Sequence, residues 1–324
     1  MAQMTYLEAI RDALAIEMRR DPRVFVLGED VGVYGGAFGI TRGFFEEFGP
    51  WRVIDGPLSE TANVGAGIGA AIMGMRPVVE LQFADFVTDA FTQIVNMAAK
   101  FHWRSGHPVP LVLRMPYGGD VKGGPFHSQC MEGWFVHTPG LKVVVPATAE
   151  DAKGLLLAAI RDPNPVMYFE HKHLYRYRRE EVPEGDYVTP IGRARLAREG
   201  TALSVISYGW MLHKCLAAVE AVAGEGIIPE VLDLRSLAPL DRDAIIASVR
   251  KTGKALIVHE AVRTGGVGAE VAALIAEEAF ESLDGPIVRL ASEDTPVPHS
   301  PVLEAAFQPS VDEIADAIRR LAAY

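Results

Sequence analysis

The sequence predicts an α/β protein of two domains, each built on a mostly parallel sheet covered by helices. Three observations carry this. The chain has 324 residues, more than a single hydrophobic core usually organises. Short apolar runs alternate with stretches at helical spacing, the pattern of successive β-α units. That alternation stops between His171 and Gly192, where Arg176 to Glu181 forms a charge cluster and Pro183, Gly185 and Pro190 break regular structure. The division falls there, with residues 1–188 as the first domain and 189–324 as the second.

Each element has a local reason. Thr5 to Asp21 is an amphipathic helix, with Leu7, Ile10, Ala13, Leu14 and Met18 on one stripe. Val24 to Leu27 is a buried strand that runs into Gly28-Glu29-Asp30-Val31-Gly32 and a glycine-rich loop. Polar groups just past the carboxyl end of a strand are where open α/β sheets place their ligands. Arg52 to Asp55 is a short strand, Gly56-Pro57 a turn, and Ser59 the cap of a helix that begins near Glu60. Arg76 to Phe83 is a strand, Phe86 to Arg104 a helix, Pro110 to Met115 a strand, Lys142 to Pro146 a strand, Glu150 to Ile160 a helix and Val166 to Glu170 a strand. The second domain repeats the alternation, with strands at 203–207, 229–234, 255–260 and 287–290, helices at 211–223, 242–251 and 268–280, and a closing helix from Val311.

The helix after Ser59 is unusual. Gly65, Gly67 and Gly69 interrupt it, although each interior Gly costs roughly 1 kcal/mol against Ala. Small residues let another backbone or a flat ligand approach closely. Glu60 stands at its mouth with little else ionisable until Arg76, and so is a candidate proton donor. The ordinary reading of Glu60 is a first-turn acid favoured by the helix dipole.

Composition bounds the function. The chain is 49% hydrophobic and 23% charged, as expected of a globular enzyme. A formal net charge of −11 argues against a nucleic-acid partner and suits a basic protein partner. Cys130 and Cys215 have no zinc or redox spacing, which points to a reducing compartment. The start of the chain has no signal pattern, and no apolar run approaches a membrane span, so the expected location is the cytoplasm.

Several motifs can be set aside. Gly65-x-Gly67-x-x-Ala70 matches the dinucleotide fingerprint by letters, but nine residues separate it from the preceding strand, where the fingerprint needs the strand immediately before it. No phosphate-loop, HExxH or G-x-S-x-G motif occurs. A long Gly-rich loop from Pro116 to Gln129 is more often functional than structural, and His127 lies near its end. Taken alone, His127 reads as a surface-loop histidine.

Several stretches together resemble the β subunits of thiamine-diphosphate-dependent 2-oxo acid dehydrogenases: Asp55 to Ala71, Gln82 to Phe86, Gly123 to Gln129 ending in His-Ser-Gln, Asp162-Pro163-Asn164-Pro165, and Asp233 to Asp241. The resemblance runs from about Thr5 to Leu321. It implies a pyrimidine-type thiamine-binding domain followed by a transketolase C-terminal-like domain. It implies that Glu60 holds N1′ of the aminopyrimidine and drives the tautomerisation that leads to deprotonation of thiazolium C2. By the same resemblance Glu29, Leu58, Ser59, Gln82 and Phe86 lie by the cofactor, with Phe86 standing where many relatives have Tyr. His127 is implied to reach the reacting carbon, where it can hydrogen-bond an oxyanion or move a proton during acyl transfer to lipoamide. Ala159, Asp162 and Asn164 match a structural potassium site built mainly from carbonyl oxygens, though Asp162 to Pro165 also reads as a plain turn.

Members of the wider superfamily hold magnesium and the diphosphate with a Gly-Asp-Gly segment, and this chain has none. The implication is half an active site, with an α subunit supplying the other half in an assembly of two α and two β chains that serves a lipoyl-bearing acyltransferase core. A branched-chain 2-oxo acid is the favoured substrate, with pyruvate and acetoin as alternatives. A non-catalytic dinucleotide-binding or electron-transfer subunit, or a scaffold subunit, is the competing class, in which Glu60 would be dispensable.

Overall fold

The computed structural model describes residues 1–324. The chain forms two compact units, Met1–Tyr117 with Trp134–Ile191 and Gly118–Gly133 with Gly192–Tyr324. The segment Gly118–Gly133 thus groups with the second unit, although the β-α alternation places it inside the first domain.

In the first unit, β1 (Ala2–Thr5) leads into α1 (Tyr6–Arg20). A capping box starts that helix: Thr5 Oγ1 accepts from the Glu8 amide and the Glu8 carboxylate from the Thr5 amide. Ile10, Leu14 and Met18 are buried as their spacing predicts. There follow β2 (Val24–Gly28), α2 (Phe44–Phe48), β3 (Val53–Asp55), α3 (Glu60–Ile72), β4 (Arg76–Glu80), α4 (Ala99–Ser105), β5 (Val112–Tyr117), α5 (Glu132–Val136), β6 (Lys142–Val144), α6 (Ala149–Arg161), β7 (Val166–His171) and β8 (Arg179–Val182). The sheet runs β6-β7-β5-β4-β2-β3 with every pair parallel. Helices α1 and α6 pack on each other, and α3 packs on β4.

Two local expectations change here. The charge cluster is not irregular throughout, since β8 pairs antiparallel with β1. Arg179 of β8 binds the Gln3 carbonyl at 2.8 Å and the Glu8 carboxylate at 2.7 Å, so charges that read as a linker serve an exposed ribbon. The stretch from Phe86 to Arg104 is also not one α-helix. It is a 3₁₀ segment over Ala84–Ala90, one π turn over Gln93–Ala98, then α4. Its buried residues explain this: Ala84, Val87 and Ala90 repeat every three residues, as 3₁₀ stacking requires, and Ala90, Ile94 and Ala98 every four.

The second unit holds β9 (Arg195–Arg198), β10 (Ser204–Ser207), α7 (Trp210–Val222), β11 (Glu230–Asp233), β12 (Ser236–Ala238), α8 (Arg242–Thr252), β13 (Ala255–Val262), α9 (Val267–Glu278), β14 (Val288–Ser292), α10 (Pro301–Phe307) and α11 (Val311–Ala322). Its sheet runs β14-β13-β10-β11-β9, parallel except for the antiparallel edge strand β9. The alternation predicts the parallel strands and misses β9 and α10. Helix α11 begins with a second capping box, Ser310 with Glu313, and packs on α7. No helix is long and apolar enough to cross a membrane. Both cysteines are free.

Candidate active site

The carboxyl ends of β2 and β3 meet the start of α3. Gly56 turns the chain there, and a Cβ on it would lie 2.0 Å from Asn63 Oδ1, so only glycine fits. Asn63 Nδ2 in turn donates to the Pro57 carbonyl at 3.0 Å, and Asp55 Oδ1 accepts from the Gly32 amide at 2.6 Å. These bonds tie the loops after β2 and β3 to the first turn of α3. Ser59 caps the helix as expected, its Oγ facing the Ala62 amide. The glycines of α3 divide by face. Gly67 lets the helix approach the sheet, since a Cβ there would come 2.7 Å from Val79 Cγ2, whereas Gly69 meets nothing within 4 Å. Gly67 therefore serves helix-on-sheet packing, and the small-residue surface is left to the outer face with Ala62, Ala66 and Gly69.

Glu29 and Glu60 both lie at this junction, near enough for the charge of Glu60 to act on Glu29, and both are buried, at 7% and 8% exposure. Neither Glu29 oxygen makes a well-formed hydrogen bond. Burial raises the Glu29 pKa, the charges of Glu60 and Asp30 add to the rise, and the Ser59 amide opposes it. A buried carboxyl with both oxygens unanswered is costly and marks a place where a ligand can supply the missing donors. A flat heterocycle bearing ring and exocyclic nitrogens fits that requirement. Gln82 is half-buried and donates to Asp30 Oδ2 at 3.3 Å, with Asp30 held at φ 56°. Phe86 is half-buried with its ring edge-on to Phe83, centroids 5.7 Å apart. Leu58 is 87% exposed. Glu29, Ser59, Glu60, Gln82 and Phe86 thus come from consecutive strand ends of one sheet.

The other residues lie apart from that junction. Asp162 and Asn164 precede β7 and Ala159 is in the last turn of α6, at the amino ends of the strands, opposite to Glu29. The Asp162 carboxylate is paired with Lys142 and accepts from the Asn164 amide at 2.9 Å. Arg76 Nη1 donates to the carbonyls of Ile160 at 2.6 Å and Asp162 at 3.3 Å. Of the oxygens expected to hold a cation, the Asp162 carbonyl is thus already met by Arg76, while no cationic side chain meets the Ala159 or Asn164 carbonyl. His127 is half-buried, one residue past a 3₁₀ turn over Gly124–Phe126, in the segment that belongs to the second unit.

Sequence reading missed a fully buried charged cluster in the first unit. Arg114, in the middle of β5, is 0% exposed. Its Nε and Nη2 donate to Glu170 at 2.6 and 2.7 Å, and its Nη1 donates to Glu80. Tyr175 adds a hydroxyl donor to Glu170 at 2.7 Å. Burial alone would lower the Arg114 pKa, but Glu170 and Glu80 more than offset it and the guanidinium stays charged. One signal was available: Arg114, Glu80 and Glu170 each follow an apolar run within a strand of a sheet expected to be covered on both faces.

Residues 2–178 match the family model described as "Transketolase, pyrimidine binding domain", and residues 192–314 match "Transketolase, C-terminal domain". The chain is 50% identical to 2-oxoisovalerate dehydrogenase subunit beta of Bacillus subtilis (strain 168), covering 100% of each. It is 48% identical to 2-oxoisovalerate dehydrogenase subunit beta 2, mitochondrial, of Arabidopsis thaliana, over 99% of this chain and 90% of that one. Pyruvate dehydrogenase E1 component subunit beta of Bacillus subtilis is 45% identical, over 99% of each. Among solved structures, a split-gene transketolase described as an inactive beta4 tetramer superposes with a TM-score of 0.79 over 99% of each chain at 22% identity, a likeness of fold.

Proposed function

We propose a function from one premise: this chain belongs to the β subunits of the thiamine-diphosphate-dependent 2-oxo acid dehydrogenases. In our reading it supplies the ring-binding half of the active site for oxidative decarboxylation of a 2-oxo acid and transfer of the acyl group to lipoamide. The observation that carries this is the buried pair of Glu29 and Glu60, with the Glu29 oxygens unanswered at the mouth of a capped helix. The chemistry that thiamine diphosphate supplies when bound is an electron sink for decarboxylation.

The chain's own residues have separable tasks. Glu60 holds and returns a proton at the ring edge, fixed in place because it is the first residue of a capped helix. Glu29 is the second acid of the site, its own pKa raised by burial and then by the charge of Glu60. Gln82 orients polar groups of the ring, and Phe86 with Phe83 gives it an apolar wall that excludes water. His127 donates a hydrogen bond or a proton to the oxygen of the reacting carbonyl.

An α subunit brings the donors and magnesium for the diphosphate, in an assembly of two α and two β chains, and a lipoyl-bearing acyltransferase receives the acyl group. The similarity to subunits named for 2-oxoisovalerate favours a branched-chain substrate. Calorimetry of the chain alone with magnesium tests the division of labour. We expect no measurable cofactor binding without the α subunit and binding with it. Micromolar binding by this chain alone would overturn the half-site reading. Rates with 2-oxoisovalerate against pyruvate, measured on the αβ complex, decide the substrate.

A further inference from the structure

The loop that carries His127 is built from unfavourable backbone. Gly118, Asp120, Lys122 and Gly124 all have positive φ, at 85°, 59°, 62° and 68°. For Asp120 and Lys122, which carry a Cβ, such a conformation is unfavourable, so the surroundings must impose it. The contacts that impose it come from the second unit. Asp120 Oδ2 accepts from the Trp210 indole at 2.5 Å and faces Lys214 Nζ at 3.4 Å, while Oδ1 accepts from Gln308 Nε2 at 2.9 Å. Lys214 also donates to Gln308 Oε1 at 3.0 Å, which closes the network, and both Trp210 and Gln308 are buried. Next to Asp120, the Gly119 amide donates to Glu260 Oε1 at 2.5 Å. At the far end of the loop the Tyr208 hydroxyl donates to Glu132 at 2.7 Å. Both feet of the loop are therefore clamped to the carboxyl ends of β10 and β13.

We propose that Asp120 is a positioning residue for His127, its carboxylate locking the left-handed backbone that aims the imidazole at the reacting carbonyl. The proposal rests on the reading of His127 given above. A charged acceptor shared by an indole, an amide and an ammonium is stronger and more directional than a neutral turn contact. A group misplaced by about 1 Å can cost about 10²-fold in rate.

The test is a double-mutant cycle in the reconstituted αβ complex, read as the rate of acyl transfer to lipoamide. H127A serves as the reference. D120A is expected to lower kcat about 10²-fold with KM for the 2-oxo acid little changed. D120N, which keeps one acceptor, should recover part of that loss, and W210F should lose about tenfold. Hydrogen exchange of the amides from Val121 to Gln129 should speed up in D120A while those of β10 and β13 do not. If positioning is the role, D120A/H127A is no slower than H127A, because nothing is left to position. A double variant slower than H127A by the whole D120A factor overturns the proposal, as does D120A at wild-type rate alongside a slow H127A. H127A at wild-type rate would remove His127 from the chemistry and the proposal with it. If D120A does not fold, W210F and W210F/H127A carry the same cycle.

Discussion

At the carboxyl ends of one parallel sheet the first unit buries acids in two ways. Glu80 and Glu170 flank Arg114: both Glu170 oxygens accept from its guanidinium and one also from the Tyr175 hydroxyl, and Glu80 accepts from Arg114 Nη1. Glu29, a short distance along the same sheet edge, has both oxygens buried without a well-formed hydrogen bond and only acids as charged neighbours. The first set is held by a cation buried with it and belongs to the fold. The second costs the fold something and keeps its capacity open. Burial alone does not separate a structural carboxylate from a ligand-facing one. The number of donors already facing it does. Glu132, the first residue of α5, lies between the two, with one oxygen answered by Tyr208 and the other orphaned.

Each prediction probes that contrast. The largest effect is expected at the open site. Glu60→Gln should lower decarboxylation by roughly 10²–10⁴-fold, since an amide cannot hold and return the proton, with circular dichroism unchanged. Near wild-type turnover would take Glu60 out of the mechanism.

At the Arg114 cluster the effect falls on stability. Arg114→Met leaves two buried carboxylates without their cation and should cost about 3–5 kcal/mol in denaturant unfolding. A loss below 1 kcal/mol would mean that water reaches Glu80 and Glu170.

Glu132 gives a pH signature. Burial pushes its carboxyl up to about 7 from the ordinary value of 4.5, against the hydrogen bond from Tyr208. Between those values the unfolded chain is ionised and the folded chain still holds the proton. The unfolded state binds fewer protons there, so this group makes stability fall as pH rises through that window and then level off. The fall is on the order of 3 kcal/mol. Glu132→Gln should flatten it in unfolding midpoints measured from pH 4.5 to 8.

The smallest effect has the opposite sign. Glu29→Gln removes a buried carboxyl that only a weak contact with the Ser59 amide answers, and should stabilise the chain by about 1 kcal/mol while weakening cofactor-dependent activity of the complex. Destabilisation instead would show that Glu29 is paired within the fold.

Much of this was legible in the chain. Ser59 announced its helix because a cap is a contact across three residues, and the stripe from Leu7 to Met18 announced the first one. The parallel strands announced themselves because a strand covered on both faces must be apolar along its length. Glu29 and Glu60 stand at a strand end and a helix start, which are local events, but the family resemblance is what singles them out as cofactor residues. The 3₁₀ and π turns from Ala84 to Ala98 were misread as one helix because periods of three and four average to the helical one.

What the sequence by itself determined, then, is the order and kind of most elements and the acids at the mouth of α3. Tertiary structure alone decided which acids are answered and which are left open. It decided that Arg114 stands between Glu80 and Glu170, that the segment from Gly118 to Gly133 belongs with the second unit, and that Asp120 meets Trp210 and Gln308. Those last two partners lie 90 and 188 residues away along the chain. Capping and periodicity act between near neighbours and leave a mark in the local sequence. A hydrogen bond between residues that far apart exists only once the sheet and its helices have packed, and nothing in the local sequence around Asp120 encodes where its donors will be.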